Sequence, residues 1–335
     1  MAFGVTRMYK GKKVMVAGGT GTIGVPLVRQ LLERGADVTV VSLDDPEYAR
    51  RLLGPEIRYE REDLTQMDAC LRAVEGQEIV INLVGIKGSV GIGETKVASY
   101  FVPMLRFQTN LMDAAFRCRV NRYLFVSSIC GYPQAPLHHE DNMWNGMPKQ
   151  NDRYPGIAKR IGEIQGETYL REFGWDAVRI VRPSNVYGPY DDFDPRTAQV
   201  IPALIHRTIG GENPLVVWGD GSAVRDFIFS DDVAYWRLEA LEKVLPCTPV
   251  NLGSGTGCTI REVAETIAKN SPMRPRIEWD MSKPSGDPVR LMSMERARAL
   301  IGFKPRTSLE DGIRRTIAWY LEHKDIVSQR KRVVQ

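Results

Sequence analysis

Five cysteines in 335 residues, at positions 70, 118, 130, 247 and 258, are odd in number and lack the close pairing of a metal site. That suits free thiols in a reducing compartment better than a disulfide framework or a zinc site. No stretch approaches the roughly 18 consecutive apolar residues of a bilayer span, and the segment from Met1 to Lys13 has no apolar run of the kind that leads a secreted chain. A cytoplasmic protein without a membrane partner is expected. Neither sign of charge dominates: 45 Lys and Arg against 41 Asp and Glu leave a net +4. These charges are scattered apart from Arg330, Lys331 and Arg332, which read as a frayed tail, so nothing calls for nucleic acid. Repeats and low-complexity tracts are absent. What is present is 43% hydrophobic residues, enough for one large or two medium domains with a sizeable core.

The chain is organised around Val14-Met-Val-Ala-Gly18-Gly-Thr20-Gly21-Thr22-Ile23-Gly24. A short apolar strand runs into a glycine-rich turn and then into an amphipathic helix carrying Ile23, Leu27, Val28, Leu31 and Leu32. Glycines at 18, 21 and 24 open backbone angles closed to other residues and let a pyrophosphate approach the main chain. The helix amides then face the anion. Ala36–Ser42 reads as the second strand of a parallel sheet. Its last residue, Ser42, stands where an acid would bond an adenosine ribose and favour NAD, with Asp44 and Asp45 just beyond. Those acids repel a 2′-phosphate, whereas Arg50 and Arg51 a helical turn later would answer one, so NAD and NADP both remain open, with a lean to NAD. Further strands are read at 57–59, ahead of Asp63 and Leu64, at 79–84, ending in Val84 and the glycines of 85–88, and at 123–128. Helices are read near 107–117 and 154–172. This alternation demands a doubly wound parallel α/β sheet. The polar segment 134–153 reads as a long loop over the site. A strand over 177–181 precedes Pro183, after which the alternation stops. Beyond it come a helix near 200–208, a strand at 215–218, and runs at 226–233 and 250–254 that read as returns to the main sheet. Thr259 to Glu262 is a capping box, and Ser308 caps a last helix with Leu309, Ile313, Ile317 and Tyr320 on one face.

The glycine turn, Ser128 ending a strand, Tyr154 and Lys159 on the following helix, and Arg182-Pro-Ser-Asn-Val-Tyr-Gly-Pro189 together resemble the extended short-chain dehydrogenase/reductase family of NAD-dependent epimerases and dehydratases. Ser128-Ile-Cys130-Gly-Tyr-Pro133, Val200-Ile-Pro-Ala-Leu-Ile205 and Trp218-Gly-Asp-Gly-Ser-Ala-Val-Arg225-Asp-Phe227 are similar to the branch that epimerises and reduces GDP-4-keto-6-deoxy sugars. The resemblance spans nearly the whole chain. It implies a Rossmann domain over 1–182 plus about 226–256, and a smaller α/β substrate domain over 183–225 and 257–335. It also implies a cytoplasmic homodimer paired through helices carrying Leu105, Leu111, Met112, Ile161 and Ile164. By the same resemblance, Tyr154 exchanges a proton with the sugar's C4 oxygen, Lys159 lowers the phenol's pKa and bonds the nicotinamide ribose, Ser128 hydrogen-bonds the same C4 oxygen, and Cys130 is an epimerisation base. Asn185, Val200, Arg207, Trp218, Arg225 and Arg290 match the nucleotide-sugar contacts.

Two departures stand out. Tyr154 and Lys159 have four residues between them instead of three, about 140° apart on an ideal helix, with Pro155 in the usual tyrosine place. For Tyr154 to act, it is expected just before the helix with Pro155 as first helical residue, or beside a one-residue π-bulge. The second departure is Gln199 at the place of the family's histidine acid, which an amide does not replace. A reduction without epimerisation is therefore a reading alongside the full reaction. A nucleotide-sugar 4-epimerase that keeps NAD bound and a non-catalytic dinucleotide-binding protein stand as alternatives.

Overall fold

The computed structural model describes residues 8–86, 97–283 and 285–325; Lys87, Gly88 and the run Arg330 to Arg332 lie outside them. Seven parallel strands form the main sheet: β1 (Lys13–Ala17), β2 (Asp37–Ser42), β3 (Arg58–Arg61), β4 (Ile79–Asn82), β5 (Arg122–Val126), β7 (Val178–Pro183) and β11 (Pro249–Leu252), with β6 intervening elsewhere. Their spatial order is β11-β7-β5-β4-β1-β2-β3, so the order reverses beside β1 and opens a crevice at the carboxyl ends of β1 and β4. The central strands are buried on both faces, which is why they read as unbroken apolar runs.

Two helical layers cover the sheet. Helices α1 (Gly24–Glu33), α7 (Ser230–Lys243) and α9 (Glu295–Ile301) close one face over Val14, Val16, Leu124, Val126 and Val181. Helices α3 (Met67–Val74), α4 (Val97–Arg117) and α5 (Arg153–Phe173) close the other over Met15, Val80, Tyr123, Phe125 and Ile180. The short α2 (Pro46–Leu53) joins β2 to β3. Helix α4 begins ten residues before the expected start at Phe107 and carries Pro103 inside it. Among its apolar residues, Leu111 and Met112 pack on the protein's own sheet, whereas Ile164 of α5 stays exposed.

A second sheet is built from β6 (Leu137–His138), β8 (Asn185–Tyr187), β10 (Val224–Phe229), β12 (Gly257–Thr259) and β14 (Val289–Met292). Two strands, β9 (Leu215–Trp218) and β13 (Ile277–Asp280), pair alongside. With α6 (Val200–Ile209), α8 (Ile260–Asn270) and α10 (Leu309–Glu322), these enclose a third core that includes Phe193, Ile205, Phe227, Val263 and Ile317.

Three expectations need correction. The run from Asp226 does not return to the main sheet: β10 pairs in parallel with β8, and only the α7–β11 stretch after it goes back. The segment 134–153 is no free loop, since β6 pairs with β14 and two 3₁₀ turns follow, at Glu140–Trp144 and Gln150–Asp152. Met292, Met294, Ala297, Ile301 and Phe303 pack into the first core rather than the third. Both expected caps are present: Thr259 and Glu262 form the capping box of α8, and Ser308 caps α10.

Candidate active site

The crevice begins at the glycine turn. Gly18 has φ +77°, and a Cβ there would stand 3.2 Å from the main chain of Leu83 and Val84, so the turn lies flush against the end of β4. A Cβ at Gly24 would come within 2.5 Å of the Gly18 carbonyl, which seats the first turn of α1 on the loop. The turn closes with the Gly21 amide donating to the Gly18 carbonyl at 3.3 Å. Among the described residues no side chain caps α1 at Ile23, and no acid lies in its first turn, leaving amides and helix dipole to an anion from outside. These features fit the pyrophosphate of a dinucleotide. Thr22 is buried and donates to Asp191 at 3.0 Å.

At the end of β2 the Ser42 hydroxyl meets the Tyr59 hydroxyl at 2.9 Å and accepts from the Asp44 amide at 3.1 Å. Thr20 of the glycine turn donates to the Asp44 carboxylate, which fixes that charge over the turn. Asp45 is turned away, since it caps α2 by accepting from the Glu47 amide at 2.9 Å, and Arg51 is paired with Glu47 at 2.8 Å. Of the two acids and two arginines expected to bear on a 2′-phosphate, Asp44 alone is held on the glycine turn. Asp63 accepts from the amide and hydroxyl of Thr65 at 3.0 and 2.8 Å. Leu64 is buried, the Val84 amide donates to Asn82 at 3.1 Å, and Pro183 ends β7. All of these stand at the carboxyl ends of the parallel strands.

Beyond β5, Ser128 caps a 3₁₀ turn (Ile129–Gly131), its hydroxyl accepting from the Cys130 amide at 3.1 Å. The start of α5 presses on that turn: a Cβ at Gly156 would lie 2.2 Å from the Cys130 carbonyl, which only glycine allows. Farther along, Gly162 sits on the Phe125 ring at a similar hypothetical distance of 2.1 Å. Arg290 of β14 reaches in, bonding the Ile129 carbonyl at 3.1 Å and pairing with Asp152 at 2.8 Å. The partly buried Cys130 lies among Ser128, Asp152 and Arg290; desolvation first, then the Asp152 charge, push its thiol up to about 11. At neutral pH it holds its proton, so little thiolate is present to act as a base.

Helix α5 is α-helical without interruption from Arg153 to Phe173. This corrects the expected placement of Tyr154. It is neither ahead of the helix nor beside a π-bulge but is the second helical residue, 39% exposed, with its ring edge-on to Phe101 of α4 at 6.0 Å. Five residues of unbroken helix put it about 140° from Lys159, whereas Asp152, seven residues back, falls within about 20° of the lysine's face. Pro155 shares that face. Lys159 itself is 9% exposed, with its ammonium 5.5 Å from the centre of the Phe125 ring. Burial first, then the Arg237 guanidinium, push it down to about 8.

On the substrate side, the Asn185 amide donates to the Asp226 carbonyl at 2.8 Å, fixing β8 to β10. Arg225 and Arg290 face each other across β10 and β14. Arg225 is half-buried and donates to the Asp287 carbonyl at 2.6 Å. Arg290 is corrected from a free phosphate clamp to a partner of Asp152, because the β6–β14 pairing draws its strand against the Cys130 turn. Arg207 is likewise committed, bonding Glu212 at 2.7 Å through Nε and the Val216 carbonyl through Nη2. Trp218 is 63% exposed, with Lys283 over its ring at 5.8 Å, and Val200 opens α6 directly after Gln199. Sequence reasoning missed Asp152 and Arg237. The first is legible as the residue seven before Lys159, and the second as a charge in the middle of the buried stripe of α7.

Residues 14–253 match the model of the NAD dependent epimerase/dehydratase family. GDP-L-fucose synthase of Escherichia coli K12 is 33% identical over 94% of this chain and 98% of its own. GDP-L-fucose synthase 1 of Arabidopsis thaliana is 32% identical over 94% of each. The solved structure of a GDP-L-fucose synthetase from Naegleria fowleri bound to NADP superposes with a TM-score of 0.77 at 22% identity, covering 95% of this chain and 96% of that one; at that identity the likeness speaks for the fold.

Proposed function

The chain belongs to the NAD-dependent epimerase/dehydratase family, and from that premise we propose that it is an NAD(P)-dependent reductase of a GDP-linked 4-keto-6-deoxy sugar. The observation that carries this reading is the convergence of the uncapped glycine turn with Ser128, Cys130 and Lys159 at one edge of a parallel sheet. The GDP-sugar class is supported by relatives of nearly equal length whose names give that substrate.

In the proposed site a bound dinucleotide, NAD or NADP, supplies hydride for the sugar's C4. Gly18, Thr20, Gly21, Thr22, Ile23 and Gly24 would hold its pyrophosphate. Ser42, Asp44, Asp63, Leu64 and Val84 would line the adenosine end, and Pro183 and Lys159 the nicotinamide end. Ser128 presents a hydroxyl to the C4 oxygen, a preorganised donor where charge develops. Asn185, Val200, Trp218 and Arg225 face the nucleotide sugar, and Arg207 reaches it by leaving Glu212. Reduction alone is favoured over the epimerising reaction. Deprotonation at C3 or C5 needs a base and an acid on opposite faces, yet Cys130 is held protonated and Gln199 is an amide. Main-sheet residues with 230–252 and 292–303 would form the cofactor lobe and the remainder the substrate lobe. A homodimer through α4 and α5 is part of the same proposal, supported by exposed Val102 and Ile164, as is a cytoplasmic location. Among the described residues no helix is long and apolar enough to cross a membrane.

The test is turnover of GDP-4-keto-6-deoxymannose against a dTDP-linked 4-keto-6-deoxy sugar, with NADPH and with NADH. A kcat/KM at least about 100-fold higher for the GDP sugar is expected, the scale on which a site that hydrogen-bonds its base rejects another. Equal use of both sugars, or no dinucleotide oxidation, contradicts the reading.

A further inference from the structure

We infer that in this reduction, and resting on that reading, Lys159 rather than a tyrosine protonates the sugar's C4 oxygen, with the buried Arg237 as the positioning residue that tunes it. The unbroken helix α5 turns Tyr154 onto Phe101 and leaves Asp152, Pro155 and Lys159 on the face toward the Ser128–Cys130 turn. Proline has no proton to give, and Asp152 is engaged by Arg290 at 2.8 Å. Among the described residues, Lys159 is the remaining nitrogen acid on that face of the helix. Among the described residues no hydrogen bond or ion pair reaches its Nζ, and the Phe125 ring lies below it.

Arg237 explains why this lysine is poised to give up a proton. It is 0% exposed, and among the described residues no hydrogen-bond partner reaches its Nε, Nη1 or Nη2. An arginine in the buried stripe of a helix, with no carboxylate paired to it among those residues, is costly and acts on its surroundings as a positive charge. The charged and titratable groups whose fields bear on Lys159 are Arg237 of α7, on the opposite side of the sheet, the Cys130 thiol after β5, and Glu163 of its own helix. Glu163 is already bound to Arg182 of β7 through two hydrogen bonds, one of them 2.9 Å. The positive neighbour is thus the uncompensated one, and it favours the neutral amine left after proton transfer.

The step balances. Hydride from the reduced dinucleotide forms the new C–H bond at C4, and the carbonyl π pair becomes the bond from O4 to a proton leaving Nζ. The N–H pair stays on nitrogen as the amine's lone pair. The products are a secondary alcohol, the oxidised dinucleotide and a neutral lysine, which regains its proton from water before the next turnover. Because the donor must be protonated, the rate constant is full at low pH and is lost as pH rises through the lysine's pKa.

Three variants and one spectrum test this. Y154F should keep kcat within about threefold of the wild type. K159R keeps the positive charge but cannot give up a proton, so it should lose at least about 100-fold in kcat, the lower end of what general acid catalysis supplies. R237M, with R237Q as a second neutral variant should the first fail to fold, should move the falling limb of the pH profile upward. Carbon-13 NMR of lysine labelled at Cε in the cofactor-free protein, with K159R to assign the signal, should show Lys159 titrating below the ordinary lysine range and moving toward it in R237M. A 100-fold loss in Y154F with dinucleotide affinity intact overturns the inference while leaving the reductase reading standing. So does a Lys159 titration that the Arg237 variants do not move. A wild type that reduces no GDP-4-keto sugar contradicts both together.

Discussion

At the scale of single residues, the site rests on contacts that one methyl group or one charge decides. Gly24→Ala places a carbon within 2.5 Å of the Gly18 carbonyl and the Gly19 main chain, where neither backbone yields cheaply. Dinucleotide affinity measured by calorimetry is expected to fall at least tenfold, with the sheet intact by circular dichroism. Asp44 is fixed over the glycine turn by Thr20, beside the end of β2, so Asp44→Asn should lower the KM for NADPH more than for NADH by removing repulsion of a 2′-phosphate. An unchanged ratio of the two KM values would place cofactor choice elsewhere. Lys159 also carries a signature in stability. Its native pKa of about 8 lies below the ordinary lysine value of 10.5, so between those values the unfolded chain binds the extra proton and stability rises with pH. The cost of burying the charged form is fully present below pH 8 and is relieved toward pH 10. Lys159→Met should therefore gain more stability over the wild type at pH 7 than at pH 10, as urea denaturation at the two pH values would show.

At the scale of elements, local chemistry made the caps and the strands of the main sheet legible. Thr259→Ala removes a hydroxyl that accepts from the Glu262 amide at 3.0 Å and should cost about 1 kcal/mol, read as a small fall in Tm; no change would mean that tertiary packing alone holds α8. The strand from Val14 and the strand ending at Ser42 could be read because burial on both faces makes them continuously apolar. Elements whose partners are distant in sequence could not. Asp226 to Phe229 has the same apolar look as a main-sheet strand, and nothing within it records that it pairs with Asn185 to Tyr187. Leu137 and His138 form a strand only because Leu291 and Met292 lie beside them. The start of α5 was hidden for a related reason. The sequence leaves open which residue begins the helix, and that choice rotates Tyr154 away from Lys159 and brings Asp152 round to its face. The residue types of the site were visible, but their angular positions depended on Gly156 fitting against the Cys130 carbonyl.

At the scale of the whole molecule, the main sheet and the second sheet meet at the crevice and are tied by a charge pair that crosses between them, Arg290 on the second sheet binding Asp152 ahead of α5. Within the main-sheet part, Arg182 of β7 is buried with Glu163 of α5. Glu163→Ala would strand the Arg182 guanidinium without a counter-charge, and a loss of about 3 to 5 kcal/mol is expected; a loss below 1 kcal/mol would mean that Tyr132 and the Glu140 carbonyl, its other partners, suffice. The proposed pairing through the exposed flank of α4 and α5 is checked by light scattering: the wild type is expected as a dimer and Ile164→Glu as a monomer, and a monomeric wild type would contradict it. The central claim is that this crevice reduces a GDP-linked 4-keto sugar without epimerising it. Its most direct test is turnover of GDP-4-keto-6-deoxymannose with reduced dinucleotide in deuterated water, with the product read by NMR. A sugar reduced at C4 and free of deuterium at C3 and C5 is expected. A fucose carrying deuterium at both carbons would contradict the claim and return Cys130 to the role of base.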